Sequence, residues 1–463
     1  MKVVVIGAGV AGLVAARELS RAGAEVVVLE GSDHIGGKLR LAEVAGVRVD
    51  VGAEAALARR PEAVDLIEAL GLPLVHPTTA TSRIWTRDAL RPMPPSVMGA
   101  PTDLSALEAS GILTDAALER VRAEADLPLT TGSDSDSDDD GDRDVAVGVL
   151  LEERFGAEVV DKLVDPLLGG VYAGRAREIS VRAAVPQLAA MLSRGALTPQ
   201  LSAIPRGTGG PVFAGIAGGM GTLPAALAAA LDVRTRQPVV AAGPAAAGEA
   251  GRWWVATPTD RLLADAVVVA VPAWSAPELI GALTGGEALE LRHVDHASVA
   301  VITHAFRIED LPGAPLDGSL SGFLVPPIEG RRIKASTFSF AKWDWVREAG
   351  AAAGVVHLRT SIGRHRELHA LDRTDTELIA ASLGDLAEAT GLRVAPVDTH
   401  VQRWVQGLPQ YAVGHLDAMR AQQAAVAAVP GVVLCGAAYQ GVGIPAVIAS
   451  ATAAAARVLA DLG

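Results

Sequence analysis

The sequence predicts an α/β protein built on a parallel sheet, and three observations carry that prediction. Residues 3–6 (VVVI) form a short β-branched run, residues 7–12 a glycine turn, residues 13–21 a helically spaced segment with Gly23 just past its end, and residues 26–29 a second buried strand. Strand, helix and strand within about 30 residues make the βαβ unit of a parallel sheet. The same kind of short apolar strand returns at Val233, at residues 267–271 and at residues 432–434, the last followed by a glycine turn and an Ala-rich helix over residues 444–459. Residues 297–308 and 355–360 instead alternate like strands with one covered face, and residues 374–390 are helical, which marks a second, mixed domain. The fold class is α/β: a Rossmann-like dinucleotide-binding domain, discontinuous in sequence, with a mixed α+β domain and a helical subdomain.

Between these landmarks, residues 61–70 read as an amphipathic helix ending at Gly71, and residues 77–101 are proline-rich. Residues 103–126 and 145–168 read as helices, with Leu, Val and Ile returning every three or four positions. The tract 130–144 between them carries seven aspartates against Arg143 and lacks apolar residues to bury, so it is expected to be a disordered surface loop rather than a Ca²⁺ site. Residues 223–231 form a further helix, with strand signals following at Val239 and Val240. The expected division is residues 1–76, 206–290 and 404–463 for the nucleotide domain, 77–91, 166–205 and 291–403 for the substrate domain, and 92–165 for the helical subdomain.

Composition narrows the function. At 463 residues the chain holds two or three domains, and its formal charge of −13 with only 3% aromatic residues argues against a nucleic-acid partner. Cys435 is the sole cysteine, so no internal disulfide forms and a cytoplasmic location is expected, with the thiol a buried spacer. The apolar start resembles a secretory signal, but Gly7, Gly9 and Gly12 serve no purpose in one. No uninterrupted apolar stretch of roughly 18 residues or more is expected to span a membrane. The histidines are scattered and read as surface or capping residues, and no Ser/His/Asp, metal or cysteine-nucleophile constellation stands out.

The chemistry is carried by glycines. Gly7, Gly9 and Gly12, with Val10 and Ala11 between them, form G-x-G-x-x-G after a strand and at the mouth of a helix, where backbone amides and the helix dipole face a pyrophosphate. Glu30 ends the second strand and is placed to accept hydrogen bonds from ribose hydroxyls, which also disfavours a 2′-phosphate. A second cluster, Gly36, Gly37 and Lys38, follows at once, and then VDVGAE with Asp50, Gly52 and Ala53. Near the other end, Gly436, Gly441 and Gly443 lead into a helix beginning at Ile444, whose N-terminus would stabilise negative charge on a reduced ring.

In these segments the chain resembles the large FAD-dependent family that includes amine oxidases, phytoene desaturases and porphyrinogen oxidases. The resemblance implies FAD, with Gly36, Gly37 and Lys38 passing under the diphosphate and flavin, and Asp50, Gly52 and Ala53 near the isoalloxazine. It also implies that Gly436, Gly443 and Ile444 close over the ring, and that Val239 pairs its backbone with adenine beside the middle segment GMGTL (residues 219–223). Lys38 stands where most relatives carry arginine, and offers a point charge rather than a fork. PLLGGVYAG (residues 166–174), GLPQYAVGHL (407–416) and AYQGVGIP (438–445) are very similar to bacterial porphyrinogen oxidases of haem biosynthesis. Ala437, Ala446 and Ser450 depart from that pattern, where relatives more often have Asn, Asp and Gly.

Relatives of this kind oxidise a porphyrinogen by six electrons, with O2 reoxidising the flavin to give H2O2, and the Gram-positive ones act mainly on coproporphyrinogen III. The flavin carries the chemistry, so no side chain is assigned a catalytic role and no metal is implied. Substrate contacts are expected from Arg83 as a propionate partner and from Gly169, Gly170 and Tyr172 lining the macrocycle's slot. Ferrochelatase is a candidate partner, and the helical region a candidate for peripheral membrane contact. The alternatives on this scaffold are a protoporphyrinogen IX oxidase, an amine oxidase or carotenoid desaturase, and a non-catalytic flavin-binding protein. Three tyrosines and six phenylalanines in the whole chain offer little for an amine-binding aromatic cage.

Overall fold

The computed structural model describes residues 1–127, 144–204, 210–286 and 289–463. The acidic loop therefore lies outside the described residues, except for Asp144. Five short strands, Lys2–Ile6, Glu25–Leu29, Asp232–Arg234, Ala266–Val269 and Val432–Leu434, form one parallel sheet with Lys2–Ile6 at its centre. Val3 and Val5 face one core and Val4 and Ile6 the other, which is why the run is apolar without alternation. On the first face lie the helices Val10–Arg21, Pro61–Ala69 and Ile444–Leu462. A three-stranded antiparallel sheet (Ala241–Pro244, Trp253–Ala256 and Arg261–Ala264) and the helix His415–Ala427 cover the other.

A seven-stranded mixed sheet makes the second layer, in the order Asp398–Pro409, His296–Arg307, Val355–Ile362, Ile333–Phe338, Leu320–Leu324, Thr81–Thr86, Ala89–Pro92. The helix Asp375–Thr390 packs on one face through Leu378 and Leu386, and begins with a capping box between Thr374 and Glu377. Strand Asp398–Pro409 lies wholly in this sheet, so the boundary expected at residue 404 falls inside an element.

The helical unit is also larger than expected. Leu168, Tyr172, Leu188, Leu197 and Leu201 share one core with Leu107, Leu151 and Leu163, so residues 166–204 pack with the helices, and Gly169 also meets the mixed sheet through Lys334. The helix expected over residues 103–126 breaks at Gly111, which caps Leu104–Ser110 in the left-handed conformation. Asp144 is no linker residue: its carboxylate accepts from Ser180 Oγ at 2.7 Å and from Gly414 N at 2.8 Å.

The final helix, Ile444–Leu462, has a mean hydropathy of 1.4 over its most apolar window, so by length and composition it is able to cross a membrane. Sequence inspection expected no such segment. Its Ile448, Ala451, Ala455 and Val458 pack into the nucleotide-domain core, which accounts for the composition without a bilayer.

Candidate functional site

The glycine turns stand at the carboxyl ends of the parallel strands, where an open α/β sheet leaves a crevice. Gly7 follows the central strand with φ +103°, and an added Cβ would lie 2.8 Å from Ala270 O. The helix begins at Val10, three residues earlier than the sequence suggests, with Gly9 as its extended N-cap and no side-chain cap. Gly12 is thus inside the first helical turn, and a Cβ there would sit 1.9 Å from Gly7 O. Gly9 differs, since its Cβ would meet no protein atom within 4 Å. Gly7 and Gly12 are required by the chain's own packing, whereas the absence of a side chain at Gly9 keeps open the ground before an uncapped helix start. That is the arrangement a pyrophosphate needs, and the residues fit a dinucleotide.

Glu30 binds both sides of this crevice, accepting from Ala8 N and from Ser32 N, each at 2.8 Å. Gly36 donates its N–H to Ala8 O at 2.8 Å and pairs with Gly9 in an isolated parallel bridge, so the second glycine cluster lies directly on the first. Lys38 is partly buried, and desolvation pulls its amine below the usual range. Its carbonyl accepts from Ala53 N at 3.0 Å, and a Cβ on Gly52 would come within 2.0 Å of it. The segments carrying Gly36, Gly37, Lys38, Gly52 and Ala53 are thereby one surface. Val239 takes no place in the antiparallel ladder, which begins at Ala241, so its backbone is not committed there.

Asp50 serves a different purpose from its expected place near the ring. It is buried and accepts from Met220 N and Gly221 N, both at 2.9 Å, tying VDVGAE to the GMGTL turn. Burial pushes its carboxyl up to about 6. Its neighbour Glu54, unremarked in the sequence, joins this surface to the mixed sheet. Its oxygens meet Lys342 Nζ at 2.6 Å and Arg359 at 2.8 Å, while Arg359 also donates to Gly52 O at 2.7 Å. Burial alone would raise the Glu54 carboxyl, but the two cations outweigh it and hold it at about 2.

A carboxyl depressed on folding stabilises above its unfolded pKa, so Glu54 is expected to contribute on the order of 3 kcal/mol near neutrality, lost as pH falls from about 4.5 to about 2. Asp50, raised on folding, has the opposite sign: its effect on stability grows unfavourable between about 4 and 6. Urea unfolding of wild type and Glu54→Gln at neutral pH and again near pH 2 separates them. The variant should be much the weaker at neutral pH, and the difference should shrink towards pH 2.

The final turn is held by residues that the sequence reading quoted only as a motif. Tyr411 donates to Ala437 O at 2.8 Å and accepts from Gly441 N at 2.7 Å, and His415 Nε2 lies 2.7 Å from Ala438 O. The two rings stack at 4.0 Å. Ser450, one of the departures, accepts from Gly436 N at 3.2 Å, and the bond to Ala437 uses its backbone alone. Gly443 is exposed and caps the 19-residue final helix with no side-chain acceptor, which leaves the positive end of the helix dipole uncapped by protein side chains. His304, His357, His365 and His415 are all buried, which corrects the surface reading. Cys435 is buried with its thiol pushed up to about 12, an inert spacer.

Tyr172 stands 5.8 Å from Tyr411, ring to ring, and its carbonyl accepts from Gln410 at 2.8 Å. The helix Asp165–Tyr172, with Gly169 and Gly170, is therefore brought beside the final turn. Arg83 is not. In a strand, alternate residues face opposite ways, and Ile84 packs with Leu168 and Tyr172 while Trp85 packs with Phe323 on the other face. Arg83 shares the face of Trp85 and bonds back to Thr81 Oγ1 at 2.9 Å.

Comparison with known proteins agrees with this geometry. Residues 10–459 match the family described as flavin containing amine oxidoreductase. Coproporphyrinogen III oxidase of Mycobacterium tuberculosis (strain H37Rv) is 36% identical, over 99% of this chain and 97% of its own. That of Bacillus subtilis (strain 168) is 28% identical, over 99% and 98%. A solved structure from Exiguobacterium sp. 255-15, described as a candidate protoporphyrinogen oxidase, superposes with a TM-score of 0.84 at 29% identity, covering 100% of this chain and 98% of that one.

Proposed function

Since the chain belongs to the family of flavin-containing amine oxidoreductases, we propose that this FAD-dependent oxidoreductase converts coproporphyrinogen III to coproporphyrin III in haem biosynthesis. Six electrons pass to O2 in three two-electron steps, with one H2O2 released in each. The observation that carries the reading is the match to coproporphyrinogen III oxidases along nearly the whole chain, joined to the placement of the Gly169–Gly170 helix beside the final glycine turn.

FAD supplies the hydride acceptor and the route for electrons to O2. The chain's own residues bind and orient. The Gly7 to Gly12 loop and its helix start would hold the pyrophosphate, Glu30 would receive the ribose, and the surface of Lys38, Gly52 and Ala53 would back the ring. The helix start at Gly443 and Ile444, its turn held by Tyr411, would stabilise negative charge on a reduced flavin. Gly169 and Gly170 present backbone without side chains, which lets a broad macrocycle approach, and Tyr172 packs behind them.

The Exiguobacterium structure favours a second reading, protoporphyrinogen IX. Porphyrins fluoresce and porphyrinogens do not, so both substrates are compared directly at matched concentrations. Faster fluorescence growth with coproporphyrinogen III is the expected result, and preference for protoporphyrinogen IX selects the second reading. A cytoplasmic location suits the single reduced thiol. Ferrochelatase, which would take up the porphyrin, is the partner this reading implies, with peripheral membrane contact through the helical unit as a further proposal.

A further inference from the structure

We propose that Lys334 and Arg364 together form the acceptor for one propionate carboxylate of the tetrapyrrole, an assignment that rests on the porphyrinogen reading of the site. Both side chains are buried, each only 7% exposed. Lys334 Nζ donates to Gly169 O at 3.1 Å, and among the described residues no carboxylate forms an ion pair with it. Arg364 donates to Val325 O at 3.3 Å, and its one carboxylate partner among the described residues, Glu367, is 3.7 Å away and about one-third exposed. The two are neighbours through the backbone, because Val325 N in turn donates to Lys334 O at 2.9 Å.

Taking a cation out of water costs several kcal/mol unless a counter-charge compensates. Arg154, Lys342 and Arg359, also buried or half-buried, have one: Arg154 has Glu124, and Lys342 and Arg359 share Glu54. At Lys334, burial and the neighbouring Arg364 charge pull the amine down to about 8, and Glu367 offsets this only in part. Asp165 and Arg175 also act on Arg364, but Asp165 already accepts from Ala176 N at 2.6 Å. One ammonium donor is spent on Gly169 and one guanidinium donor on Val325, which leaves donors for an incoming anion.

The position favours a propionate over a free small anion. Gly169 and Gly170 carry no side chain and Gly170 is exposed, so a macrocycle lying on this helix would bring a peripheral carboxylate to the two cations. The pair also replaces Arg83, whose side chain faces the opposite side of the sheet.

The test uses FAD-replete protein titrated by fluorescence with coproporphyrin III and with its tetramethyl ester in matched detergent. Lys334→Met should weaken coproporphyrin III by about tenfold or more while leaving the ester unchanged. The thermal midpoint should hold or rise, because an uncompensated buried charge has been removed. A strut with no ligand role would instead lower the midpoint and shift both compounds alike. Should Lys334→Met fail to fold, Arg364→Met should give the same acid-specific loss. Unchanged coproporphyrin III affinity in a folded variant, or equal loss for acid and ester, overturns the assignment. Competition by millimolar propionate as effective as that by the porphyrin would point to a free small carboxylate instead and also overturn it. Wild type that binds neither compound would sink the porphyrinogen reading itself, and the assignment with it.

Discussion

Gly9→Val is expected to give a folded protein that does not retain FAD. Gly9 has φ −70° and ψ 176°, an extended conformation open to any residue, and its Cβ direction meets no protein atom within 4 Å. Valine at an N-cap costs roughly 1 kcal/mol, too little to unfold the domain. Its methyl groups would nevertheless occupy the approach to the helix start, where the pyrophosphate must come within hydrogen-bond distance of backbone amides. A loss of roughly a hundredfold or more in FAD affinity, about 3 kcal/mol, is expected. Gly12→Ala supplies the contrast, because a Cβ 1.9 Å from Gly7 O must displace backbone and should disturb the fold itself. Acid extraction with chromatography measures bound flavin, and circular dichroism measures the fold. Stoichiometric FAD in Gly9→Val would mean that the pyrophosphate lies elsewhere.

Glu124→Ala is expected to destabilise the helical unit by about 3–5 kcal/mol. Glu124 is fully buried, receives Arg154 Nε at 2.7 Å, and accepts from Leu197 N at 2.9 Å and Thr198 N at 2.8 Å. Removing it takes the carboxylate from a buried guanidinium and strips acceptors from the first turn of the helix Leu197–Ser202. Urea midpoints and limited proteolysis within residues 104–204 would register the change. A shift under about 1 kcal/mol would show that the pair contributes little beyond what water or repacking replaces.

What was legible in the sequence was what the backbone does. The central strand, the glycine loop and the strand carrying Glu30 appear because a β-branched run, glycines at fixed spacing and an acid at a strand end are local patterns. The helix start was misplaced by three residues because glycine usually interrupts helices, whereas here Gly12 is needed inside one for close packing on Gly7. Strand Asp398–Pro409 went unpredicted since its residues are mostly half-buried and mix polar with apolar at no fixed period. The side-chain ties were illegible for a different reason. Glu54 meets Lys342 across 288 residues, and Asp144 meets Gly414 across 270, so neither leaves a pattern within any short window. Arg83 shows the converse: a cation was legible in the strand, but the pleat that turns it to the Trp85 face, away from the Gly169–Gly170 helix, was not.

The most direct test of the central claim is anaerobic mixing of the FAD-loaded protein with coproporphyrinogen III, followed through the flavin's visible absorbance. Bleaching on mixing, return of the oxidised spectrum when O2 is admitted, and coproporphyrin fluorescence growing with repeated cycles are the results predicted. A flavin that stays oxidised in the presence of excess coproporphyrinogen III would contradict the account.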